Sequence, residues 1–60
     1  MQKTTIQNIE TGIIKNCDIL KKNDKILEIV IEETTIKLVL KKKNDVYIVN
    51  YKGMEFISKG

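Results

Sequence analysis

The stretch Ile26-Leu27-Glu28-Ile29-Val30-Ile31-Glu32, then Glu33-Thr34-Thr35, then Ile36-Lys37-Leu38-Val39-Leu40, decides how this chain folds. Leu27, Ile29 and Ile31 fall at every second position, and Ile36, Leu38 and Leu40 repeat that spacing after the polar break. A period of two places these side chains on one face of an extended strand, and β-branched residues favour that state. Glu33-Thr34-Thr35 reads as the turn of a hairpin. On its outer face Glu28 and Glu32 are expected to pair with Lys37 and Lys41, at about 0.2–1 kcal/mol per exposed pair.

The flanks extend the same pattern. Residues 4–9 read as a first strand and residues 8–12 as a turn, since Asn8 and Gly12 tolerate positive φ. Ile13 and Ile14 resume extended structure to about Asn16. Residues 17–20 read as a short apolar connection and residues 21–25 as a polar turn. Downstream, Lys41-Lys42-Lys43 leads to a turn at Asn44-Asp45, then a strand over residues 46–51. Lys52-Gly53 interrupts it, residues 54–57 form the last strand, and residues 58–60 are expected to fray. Phe56 and Met54 share one parity and are expected to fill the interior; Val39, Val49 and a tyrosine are candidates for an outward apolar patch. Only residues 20–27 come near a helix period, and Asn23-Asp24 breaks it. The expected fold is all-β: one domain over residues 1–60, a small antiparallel barrel of five or six strands, closed so that no sticky edges remain.

Composition narrows function. A chain of 60 residues buries only about 60% of its unfolded surface and has no room for a core and a deep catalytic cleft. The single cysteine, Cys17, leaves the core without a disulfide, which points to a reducing, cytoplasmic setting or to a partner that covers more apolar surface. No stretch is apolar enough to cross a bilayer, and no signal peptide follows Met1, so membrane insertion is not expected. All eleven basic residues are lysine, against eight acidic ones, and there is no histidine. Without histidine the usual general base and the commonest metal ligand are gone. Without arginine, bidentate recognition of phosphate or of a guanine edge is lost. Cys17 has no base at a spacing that would activate it, and the carboxylates match no metal loop. An enzyme is not expected, and no cofactor or metal is implied.

Three segments, in order, resemble the PilZ domain, a bacterial β-barrel family of cyclic di-GMP receptors. Thr5-Ile6-Gln7-Asn8-Ile9-Glu10-Thr11-Gly12-Ile13-Ile14 is similar to the family's strand-turn-strand around D/N-x-S-x-x-G. Residues 18–29 are similar to its connection into the central strand. Residues 46–57, ending Gly53-Met54-Glu55-Phe56, are similar to its closing G-x-x-F strand. The resemblance implies a PilZ-like barrel in bacterial signalling or motility, with Asn8, Glu10 and Gly12 at the remnant of the ligand loop. It is a short, degenerate version. The family's R-x-x-x-R segment has no counterpart, Glu10 stands where serine is expected, and Ile13 where the final glycine is expected. Glu10 brings negative charge towards a dianion and Ile13 crowds the approach, so both oppose cyclic di-GMP binding. The implied activity is a protein–protein interaction without catalysis.

Two other readings stand beside it. Lys41, Lys42 and Lys43, with Tyr47 and Tyr51 near in sequence, fit a small SH3-like or OB-like barrel that binds nucleic acid by charge and stacking. A net charge of +3 gives that reading a thin electrostatic basis. The third is a structural subunit that forms homo-oligomers through a hairpin edge or an outer apolar patch.

Overall fold

The computed structural model describes residues 2–60. Six strands follow one another: β1 (Lys3–Asn8), β2 (Ile14–Lys22), β3 (Ile26–Ile31), β4 (Lys37–Lys43), β5 (Val46–Tyr51) and β6 (Met54–Ser58). Each pairs antiparallel with the next, and β1 pairs with β6, so the sheet closes into a barrel. Among the described residues there is no helix long and apolar enough to cross a membrane.

Alternation along each strand supplies the core. Ile6, Cys17, Leu27, Ile29, Leu38, Leu40, Tyr47 and Phe56 are buried inside, and Ile19, Ile31, Ile36, Val49 and Tyr51 pack against them. The β3–β4 hairpin gives four of these buried side chains, in the register Leu27↔Leu40 and Ile29↔Leu38. That register sets Lys37 opposite Val30 and Lys41 opposite Ile26. The expected Glu28 and Glu32 pairs with those lysines give way to another arrangement. Lys3 Nζ donates to Asp18 Oδ1 at 2.8 Å and to Glu32 Oε2 at 3.0 Å, across three strands. Both bonds, Asp18 first, raise the Lys3 pKa above its ordinary value.

The expected connection at residues 17–20 is instead the middle of β2. Cys17 is fully enclosed, and β2 is paired on both sides. A bulge hides this alternation: Ile19 and Lys21 are matched by the adjacent residues Ile29 and Glu28, leaving Leu20 as the extra residue. A bulge bends its strand and strengthens the twist, which a barrel this narrow requires.

Polar side chains close the turns. Asn23 Oδ1 accepts the amides of Lys25 and Ile26, both at 2.8 Å. Thr34 Oγ1 donates to the Ile31 carbonyl and accepts the Ile36 amide. Lys52 (φ 51) and Gly53 (φ 78) sit between the paired residues Tyr51 and Met54, the two-residue type I′ geometry that suits the twist of a hairpin. Two expectations about the last strand need correction. Ser58 does not fray: it is buried, its hydroxyl lies 3.2 Å from Thr4 Oγ1, and it accepts the Gly60 amide. Met54 shares the parity of Phe56 but opens β6, opposite Tyr51, and is exposed.

Candidate functional site

The ligand-loop residues come together in the β1–β2 connection. Asn8 closes the loop from inside: it is buried, and its Oδ1 accepts the amides of Glu10 at 2.9 Å and Thr11 at 3.2 Å. The Asn8 amide donates to the Ile13 carbonyl and the Gly12 amide to the Asn8 carbonyl. Gly12 has φ 76, which a side chain would strain. Asn8 and Gly12 are thus fully employed in shaping the turn, while Glu10 is exposed beside it.

The lysine run is divided by the strand it lies on. Lys41 and Lys43 take the outward parity of β4, whereas Lys42 shares the inward parity of Leu40 and stands opposite Tyr47. Lys42 Nζ lies 5.6 Å from the centre of the Tyr47 ring at the end of the barrel. Tyr47 itself is a core residue, and its hydroxyl donates to the Asn23 carbonyl at 2.7 Å. Tyr51 packs towards the core with Lys52 Nζ 5.4 Å from its ring centre. The structure therefore brings the lysines to one end of β4 but keeps the Tyr47 ring away from the surface.

Two surface features stand out, a groove beside the three lysines expected to form a basic surface and an apolar band that was not expected. The first is an open groove of about 430 Å³ over the paired end of β4 and the adjoining β5, walled by Lys41, Lys42, Lys43, Ile48, Val49, Asn50 and Glu55. The β4–β5 ladder has only the pairs Lys41↔Ile48, Lys42↔Tyr47 and Lys43↔Val46. No residue of β5 stands opposite residues 37–40. The second is an apolar band on the outside of the barrel. Ile48 pairs with Ile57, Ile57 with Gln7, and Gln7 with Ile14, forming one row across four strands. Ile14 is 60% exposed and Ile9 and Ile13 are also exposed, while Ile48 and Ile57 are half-buried. The outward patch expected at Val39 and Val49 is corrected accordingly: Val39 is outward and exposed, but Val49 packs on the core. The signal for the real band was the set of isoleucines at the opposite parity to Ile6, Tyr47 and Phe56, readable only once the register was known.

The Cys17 thiol is enclosed, and burial, with smaller contributions from Asp18 and Glu32, pushes its pKa up. A protonated, inaccessible thiol is a poor nucleophile. Among the described residues no group of three or more Cys, Asp or Glu side chains could hold a metal ion. Compared with protein-family models, with curated proteins and with solved structures, the chain finds no match.

Proposed function

We propose that this chain is a non-catalytic PilZ-like module that acts by binding another protein through its outer surface, in a cytoplasmic bacterial signalling or motility setting. The observation that carries the reading is the uncovered band of Ile14, Ile9 and Ile13 beside Ile48 and Ile57. Exposed apolar side chains grouped on one side of a small barrel, here on either side of Gln7, are the kind of surface that binds a partner. Cyclic di-GMP is not its ligand in this reading: the Asn8 oxygen is occupied by its own loop, Glu10 opposes a dianion, and the chain has no arginine.

Calorimetric titration of cyclic di-GMP tests the negative half; tight, saturable binding would overturn it. For the positive half, a photo-crosslinking residue is placed at Ile14 and, as a control, at the exposed Glu33 turn. The expected result is a discrete protein adduct in cells from position 14 alone. No adduct, or equal labelling from both positions, would sink the reading. Sedimentation of the purified protein separates a foreign partner from a second copy of this chain.

A further inference from the structure

The β4 edge carries a more specific inference, resting on the reading of the barrel as a protein-binding module. In an antiparallel sheet, successive residues direct their N–H and C=O to opposite sides of the strand. The Ile31 amide donates to the Ile36 carbonyl and the Lys42 amide to the Lys25 carbonyl, so the even-numbered residues of β4 bond to β3. The odd-numbered ones face β5. Lys41 and Lys43 are met there by Ile48 and Val46, but among the described residues no strand pairs with Lys37 and Val39 on that side. Val39 is 46% exposed and Lys37 is exposed. Native sheets protect such an edge with charge, lysine above all, or with proline, a bulge or a covering loop, and Lys37 supplies the charge here. Here β4 runs without a register shift against β3, and the chain has no proline.

We propose that this open edge is a strand-addition site for an extended, acidic segment of a partner protein. A strand laid against the free stretch of β4 would set alternate side chains beside Lys37 and Val39, both on the outer face, and would end at Lys41, where Ile48 of β5 takes over. The complementary pattern is acidic beside Lys37 and apolar beside Val39, with a second acidic residue at the end that approaches Lys41. The carboxylate of the groove, Glu55, lies on its far wall, on β6. Backbone bonds supply affinity in this mode of recognition and the alternate side chains supply selectivity. A second copy of the chain fits poorly, because β4 carries Lys37, Lys41, Lys42 and Lys43 and no carboxylate, so two copies laid edge to edge bring like charges together. Like charges directly opposite destabilise such a pair.

The test is a titration of nitrogen-15-labelled protein with a short synthetic peptide alternating glutamate and valine, against its lysine–valine counterpart. Amide shifts should concentrate at residues 37–41, for the glutamate peptide only. Lys37→Glu with Lys41→Glu should weaken binding about tenfold or more, as loss of complementary charge does. Val39→Pro removes one donor without changing charge and should weaken it about fivefold, the effect of one hydrogen bond. Equal binding of both peptides, shifts confined to the Ile14 band, or no shift at millimolar peptide would overturn the proposal. If the edge stays silent while the Ile14 crosslink persists, the strand-addition site is lost and the interaction reading survives. If the glutamate peptide binds the edge but no Ile14 adduct forms, the edge stands and the apolar band is lost.

Discussion

Val30 and Val39 form a matched pair for testing how the barrel is closed. Both are valines on the outer face of the central hairpin. Val30 pairs with Asp18 on β2, and the bond from the Glu32 amide to the Asn16 carbonyl fixes the parity that directs the Val30 N–H to that neighbour. Val39 directs its N–H away from β3, to the side where β5 offers it no partner. Proline removes the donor and fixes φ near −65°. At Val30 it deletes a ladder bond and drives its ring against β2, at a cost of about 3 kcal/mol or more. At Val39 no bond is lost, and for a side chain 46% exposed the expected cost is about 1 kcal/mol or less. A chain of 60 residues has total stability of roughly 3–9 kcal/mol. Val39→Pro should therefore fold with a slightly lower urea midpoint, whereas Val30→Pro should be largely unfolded. Amide exchange in the native protein should agree, with Val39 fast and Leu38 and Leu40 protected. If Val39→Pro unfolds as Val30→Pro does, the β4 edge is engaged and the open-edge argument falls with it.

Four other substitutions probe the rest of the molecule. Lys52→Asn should stabilise by about 0.5–1 kcal/mol, because asparagine tolerates the left-handed backbone better than lysine, less the small loss of the Lys52 cation over Tyr51. Gly53→Ala should cost about 1 kcal/mol at its positive φ, and equal midpoints for the two variants would count against the type I′ turn. Asn8→Ala should cost about 1–2 kcal/mol by freeing two loop amides, read as a lower thermal midpoint; a neutral result would show that the loop does not need its cap. The Cys17 thiol should resist a disulfide reagent until global unfolding exposes it. Its folded pKa lies above the unfolded one, so the unfolded chain loses its thiol proton first and stability falls as pH rises past about 9.0. Lys3, also raised, holds its contribution up to about pH 10.5 and loses it above. Cys17→Ala should therefore flatten the profile between those two values, and an unchanged slope there would refute the assignment.

The lysine run shows why the fold was more legible than the site. Period-two alternation is a local property, so the β3–β4 hairpin, the barrel class and the strand at residues 46–51 could be read without knowing what lay beside them. It fails where the ladder is irregular: the bulge at Leu20 disguised β2, and Ser58 is held by Thr4, a neighbour distant in sequence. Surface chemistry depends on register, which is not local. Lys41, Lys42 and Lys43 do line one groove, but β4 alternates their parity and sets Lys42 against Tyr47. The tyrosine that promised a stacking surface is then needed inside, where its ring fills the core and its hydroxyl anchors the Asn23 turn. Tyr47→Phe separates the two roles. If the hydroxyl is structural, the variant keeps its fold and loses about 1 kcal/mol. Any weak affinity for single-stranded nucleic acid would then come from the lysines alone, would be unchanged in Tyr47→Phe, and would vanish with salt. Binding that persists at high salt and falls when Tyr47 is changed would place the ring back at the surface and overturn the core assignment.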